Sequence, residues 1–272
     1  MKKCLLVLVV LFLVAGSANA ALVLHYEMDS ADDFAIGTGL PNGHAGRLYV
    51  DNKATGVKYA AMTSTSGIQY DAAEGAVYMN GAHPCKISGA EDASTIFTGT
   101  TQYTFSLKAK ADLGAVVGNG YSFYVLYSDG TRFKFDLGFK SDKSFVLSAP
   151  PSGGLTQYHI WDPDPAYADS YVDPTTWNMY TATWDADNDV IKLYVNGELT
   201  VSSNVALPAI TATVTSYGFG DGYGYSGPGG WFKDFRIYDY ALTGAEVAAL
   251  VPEPATLALL GLGGLALIRK RK

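Results

Sequence analysis

The chain has 272 residues, 48% hydrophobic and only 17% charged, with 30 glycines, 19 tyrosines and a formal net charge of −7. Six of its 19 basic residues lie at the extreme ends, so residues 21–254 carry 13 basic against 26 acidic groups, a balance of −13. A surface of that sign repels phosphate backbones and excludes sequence-independent nucleic-acid binding, while abundant Tyr and Gly with few helical periodicities favour many short strands in one all-β domain.

Met1 to Ala20 has the order of a secretory signal peptide: Lys2 and Lys3, an apolar run from Leu5 to Ala15, then Ala18-Asn19-Ala20. Signal peptidase is expected to cut between Ala20 and Ala21, and the run is too short to span a bilayer. Cys4 leaves with the leader, so Cys85 has no partner and reads as a small buried residue.

Leu22 to Tyr26 opens the domain as a strand. Residues 30–61, rich in Gly, Asp and Asn, read as long loops holding short strands such as Arg47 to Val50. Ala76 to Gly81 is a strand ending in an Asn-Gly turn. Gln102 to Lys110 alternates Tyr103, Phe105, Leu107 and Ala109 against Thr104, Ser106, Lys108 and Lys110, the pattern of a half-buried strand. Ser122 to Tyr127 and Arg132 to Leu137 flank an Asp-Gly hairpin turn, and Lys143 to Ser148 is one more strand. Pro150 to Pro174 reads as an extended loop around Tyr158 to Trp161. Asn178 to Trp184, Val190 to Val195 and Glu198 to Val201 form an antiparallel meander, joined by Asp185 to Asp189 and by Asn196-Gly197, the dipeptide that best tolerates a two-residue hairpin turn. Tyr217 to Gly230 is a Gly/Tyr/Ser loop, Trp231 to Tyr238 the last long strand, and Thr243 to Leu250 a short helix opened by a Thr243-x-x-Glu246 capping box. About a dozen strands at this spacing predict a two-sheet antiparallel sandwich.

The segment W-x-x-Y-T-A-T-W-D from Trp177, the I-K-L-Y-V-N-G-E that follows, and GGWFKDFRIYDYALTGAEVAAL from Gly229 to Leu250 resemble the closing half of a LamG-like domain. That is the concanavalin A-like lectin/glucanase jelly roll. Looser likeness extends to LVLHYEMD (Leu22 to Asp29) and QYTFSLKAKA (Gln102 to Ala111), placing the domain at residues 21–250.

The end of the chain, residues 251–272, carries a second signal. Val251-Pro252-Glu253-Pro254 precedes fourteen uncharged residues, Ala255 to Ile268, and the basic cluster Arg269 to Lys272. Such a hydrophobic helix with a cytoplasmic basic stop reads as an inner-membrane anchor. Fourteen residues rise about 21 Å against a hydrocarbon core of about 30 Å, so the span is marginal. The arrangement resembles the PEP-CTERM sorting signal of exopolysaccharide-producing Gram-negative bacteria. The resemblance implies that an exosortase recognises the Pro-Glu-Pro, removes the tail, and leaves the protein at the cell surface or in the extracellular matrix.

Catalytic signatures are thin. Glucanases of this fold use a Glu-x-Asp-x-Glu strand, one carboxylate as nucleophile and another as acid. Here Glu27-Met28-Asp29-Ser30-Ala31 lacks the last Glu, which leaves a divergent glycan hydrolase as an alternative only. Gly224 to Pro228 is no nucleophile elbow, and His25, His44, His83 and His159 have no ligand spacing. Asp185 to Asp189 mimics half a calcium loop but has Val190 and Asn196 where Gly and Glu are required. By resemblance, a structural Ca²⁺ tying the first and last strands would use Asp29 and Asp234. A glycan site needs aromatic platforms beside hydrogen-bonding acids, which points to Trp161, Asp162 and Asp164 in one loop and to Tyr223, Tyr225 and Trp231 in another. Trp177, Trp184 and Trp231 are equally core candidates. The expectation is a non-catalytic carbohydrate-binding or adhesion module that engages extracellular polysaccharide, with a ligand-free matrix protein as the alternative.

Overall fold

The computed structural model describes residues 21–29, 34–36, 48–52, 57–61, 68–80, 86–89, 101–115, 123–127, 132–139, 145–149, 156–161, 172–204, 214–220 and 229–251. The leader, and the tail from residue 252 on, lie outside them. No helix among the described residues is long and apolar enough to cross a membrane.

The described residues form seventeen strands: β1 (Leu22–Tyr26), β2 (Phe34–Ile36), β3 (Leu48–Asn52), β4 (Val57–Ala61), β5 (Ile68–Asp71), β6 (Ala76–Met79), β7 (Lys86–Gly89), β8 (Gln102–Ala111), β9 (Phe123–Tyr127), β10 (Arg132–Phe139), β11 (Phe145–Ala149), β12 (Thr156–Trp161), β13 (Asn178–Asp185), β14 (Val190–Val195), β15 (Glu198–Asn204), β16 (Val214–Gly220) and β17 (Gly230–Tyr238). A short helix, α1 (Gly244–Leu250), follows. One sheet runs β15-β14-β13-β8-β17-β6-β5, with β1 also on β17; the other runs β12-β11-β10-β9-β16-β7-β4-β3-β2. The predicted all-β, two-sheet antiparallel architecture is the one observed. Two strands stand where loops were expected: β12, added to β11 at the sheet edge, and β16, between β7 and β9. The weak local signal of β16 is completed by neighbours distant in sequence, and that of β12 by the strand just before it.

The inner face of the first sheet follows the register. Leu193, Ala182, Phe105, Ile237 and Leu24 align across five strands, and Ile191, Trp184 and Tyr103 across three, all nearly inaccessible. At about 25 cal/mol per Å² of apolar surface removed from water, burial of these rows stabilises the first sheet.

The outer face is only partly open. Thr104, Ser106, Thr181, Thr183 and Tyr194 point away from the core, yet all are buried. The segment after β17 doubles back over Thr104 and Tyr194. Thr104 Oγ donates to the Tyr240 carbonyl and accepts the Leu242 N–H, both at 2.8 Å. Ser106 and Thr181 share a hydroxyl hydrogen bond of 2.9 Å. The predicted capping box forms in full, with Thr243 and Glu246 satisfying each other's backbone N–H. Val247, fully buried, then packs with Leu242 and Tyr194. The alternation of β8 therefore predicted its two faces correctly and their exposure only in part.

Candidate binding cleft on the outer face

Strand β17 creates the site by breaking its own ladder. It takes β6 along Gly230–Phe232 and β1 along Phe235–Tyr238, so those two strands lie end to end on one side. Between them a bulge separates Lys233 from Arg236 in the pairing with β8. Asp234 occupies the bulge at φ +55°, a left-handed conformation that Asp tolerates better than most residues. Its N–H turns to donate to the Glu27 carbonyl at 2.7 Å. Phe232, Phe235 and Ile237 stay in the core, and Trp231, Lys233 and Arg236 are left half-buried outside.

The result is a cleft of about 340 Å³ lined by His25, Glu27, Asp29, Lys108, Lys233, Asp234 and Arg236. Asp234 is its electrostatic centre. One carboxylate oxygen accepts from Arg236 Nε at 2.7 Å and lies 2.9 Å from His25 Nε2, within hydrogen-bond distance. The other oxygen faces Lys108 Nζ at 3.6 Å. Burial pushes the Asp234 carboxyl up, but the His25 hydrogen bond and the Arg236 and Lys108 charges outweigh it and hold the group below the usual carboxylate range. Burial and the neighbouring Lys108 charge lower Lys233.

Beside the cleft runs an aromatic ladder built on the turn between β5 and β6. Asp71 accepts the Ala73 N–H at 2.9 Å with one oxygen and Trp231 Nε1 at 2.9 Å with the other. Glu74 accepts Lys110 Nζ at 2.6 Å and Trp177 Nε1 at 3.1 Å. Lys110 lies 4.8 Å from the Trp231 ring centroid and Lys233 4.2 Å from that of Trp177, both within cation–π range. Lys233 also donates to the Glu74 and Gly75 carbonyls at 3.2 and 3.3 Å. The Lys110 hydrogen bond, followed by that of Trp177, lowers the Glu74 carboxyl, and the Trp231 hydrogen bond lowers Asp71. Tyr78 packs on Trp231 at 5.0 Å and donates to Asp112; burial and that bond push its hydroxyl up to about 12. The turn before Trp177 is organised by Asp173, which accepts the Thr175 N–H and hydroxyl, while Asn178 donates to the Asp173 carbonyl. Both indoles are thus fixed in orientation, with polar groups of both signs beside them.

A model of the concanavalin A-like lectin/glucanases superfamily matches residues 88–248, more than half of the chain. The chain belongs to that superfamily. The PEP-CTERM protein-sorting motif matches residues 250–272, which marks an exported, membrane-transiting protein sorted to the cell surface by an exosortase. Among solved structures, Trypanosoma rangeli sialidase is 11% identical with a TM-score of 0.56, covering 85% of this chain and 32% of its own. The binding domain of botulinum neurotoxin serotype G is 14% identical with a TM-score of 0.52, covering 85% and 50%. The chain therefore spans about a third of the one and half of the other, and at these identities the likeness shows the fold alone. No curated protein matches the sequence.

Of the residues singled out from sequence, Trp231 stands in the ladder, and Asp29 and Asp234 line the same cleft. Those two residues do not suit Ca²⁺, which takes six to eight oxygen ligands. The Asp234 carboxylate is held by the Lys108 and Arg236 charges, which would repel the ion. Among the described residues no group of three or more His, Cys, Asp or Glu could hold a metal. Trp161 ends β12; Asp162, Asp164, Tyr223, Tyr225, Ala20, Pro252, Glu253 and Pro254 lie outside the described residues, whereas Ala21 donates its N–H to Asp239 at 3.1 Å. Trp184 is core, whereas Trp177 is half-buried at the ladder. Asp71, Glu74, Lys233 and Arg236 did not stand out as site residues in the sequence, and Lys108 read only as an outward-facing position of its strand. The available signal was the outward phase of β17, broken at Asp234.

Proposed function

We propose that this is a cell-surface protein, sorted by an exosortase, whose sandwich binds polysaccharide of the extracellular matrix without cleaving it, using the outer-face cleft and its two flanking indoles. The observation that carries this reading is the pairing of a polar cleft with Trp177 and Trp231, each pinned through its N–H by a carboxylate. Sugar rings stack their C–H faces on aromatic surfaces, and their hydroxyls need donors and acceptors side by side; a rigid platform lowers the ordering cost of such binding. Superfamily membership supports the same reading. Against hydrolysis stands the chemistry of the strand: Ala31 occupies the third carboxylate position, and Asp234 is committed to the Arg236 and Lys108 cations and to a hydrogen bond with His25.

A glycan array with the matured protein, including the producer's own exopolysaccharide, tests the proposal. Binding that falls at least tenfold in Trp177→Ala and in Trp231→Ala, with unchanged secondary structure, is expected. An array without signal, or binding indifferent to both substitutions, overturns it.

A further inference from the structure

The sorting signal begins inside the folded domain. Its match starts at residue 250, and Leu250 is the last residue of α1. The first residue of Val251-Pro252-Glu253-Pro254 is the helix C-cap: the Val251 N–H donates to the Ala248 carbonyl at 3.2 Å, and its side chain is half-buried. It is seated on the Asn196-Gly197 turn between β14 and β15. Gly197 has φ +83°, and a Cβ placed there would fall 3.1 Å from Ala248 Cα and 3.2 Å from Val251 Cγ2. Upstream, the helix is held by fully buried Val247 against Leu242 and Tyr194, with Leu250 packed alongside, and by the capping box. Across a trans peptide, consecutive Cα atoms are about 3.8 Å apart, so Pro252 follows the folded edge with no linker.

Enzymes that cut or transfer a peptide chain take it as an extended strand on both sides of the scissile bond, because the enzyme must reach backbone groups that a helix uses internally. The residues just before Pro-Glu-Pro are instead helical and docked. We infer that α1 is an autoinhibitory clasp: the exosortase reaches its motif only when the Gly244–Val251 segment lifts from the outer face, and maturation is gated by that local opening. A short helix at the end of the chain, held chiefly by one small buried cluster, opens far more often than the sheet beneath it unfolds. The sheet therefore stays folded while the clasp opens.

The test follows conversion of the full-length precursor to its mature form, by pulse-chase in a host carrying the exosortase. Val247→Ala should raise the open fraction, and with it the conversion rate, by roughly tenfold. A seven-residue insertion between Val251 and Pro252, six Gly and Ser residues followed by a Val that keeps Val-Pro-Glu-Pro whole, reaches roughly 24 Å when extended and should accelerate conversion and abolish any further gain from Val247→Ala. The insertion leaves the domain untouched, so the result stands even if Val247→Ala folds poorly. Equal rates for wild type and insertion overturn the inference. A slower insertion variant also overturns it, and would indicate that the enzyme recognises the domain edge together with the motif.

Discussion

Replacing Asp234 by Asn examines the cleft's electrostatic centre with little else disturbed. Asn tolerates the φ of +55° as well as Asp does, so the bulge is not strained, and the shape of the side chain is retained. What is lost is a charge that Arg236, His25 and Lys108 all face at 2.7, 2.9 and 3.6 Å. Hydrogen bonds to charged groups are worth roughly 1.5–3 kcal/mol each. The Asp234 side chain is only 15% exposed, but its cationic partners retain 14–26% exposure, and water will screen part of the uncompensated charge. A net loss of about 2 kcal/mol follows, well short of the ~3–5 kcal/mol for a fully buried pair. For a domain of this size that is a fall in Tm of about 4–8 °C. The pH dependence sharpens the test. The folded Asp234 titrates below its unfolded value, so its contribution is complete above about pH 4 and is lost as pH falls through the folded pKa. Urea melts of both proteins should therefore differ most near neutrality and converge progressively in acid. A deficit under 0.5 kcal/mol at pH 7 (roughly the scatter of neutral surface substitutions), or one unchanged in strong acid, refutes the reasoning.

Gly230 sits at φ +149°, where a Cβ would meet the Lys110 carbonyl at 2.4 Å, so Gly230→Ala should cost on the order of 3 kcal/mol, seen as a lower urea midpoint. Adding millimolar Ca²⁺, or EDTA, should leave the Tm of the matured protein unchanged within a degree, because the cations around Asp234 oppose a divalent ion; a rise of several degrees with Ca²⁺ would show that the cleft rearranges to bind it.

Much of this protein is written in short-range pattern. The alternation in β8 and β14, the Asn196-Gly197 turn, the Thr243/Glu246 capping box and the ordered sorting signal each depend on residues a few positions apart. Periodicity and turn chemistry act on that scale, and the two-sheet class followed from them. The cleft was not legible in that way. Its side chains come from β1, the 71–75 turn, β8, the residue before β13, and β17, and they meet only because β6 and β1 share one side of β17 and leave a gap at Asp234. Trp177 and Trp231 look like core aromatics in the sequence, since hydrophobicity says nothing of which face of a sheet a ring will lie on. Thr104 likewise looks solvent-facing until the 239–251 segment, more than 130 residues later, folds across it. Local sequence determined which strands form and which side chains share a face. Strand neighbours and covering segments, set by contacts distant along the chain, decided which face was buried, which was left open, and how the helix leading into the sorting signal is seated on the domain.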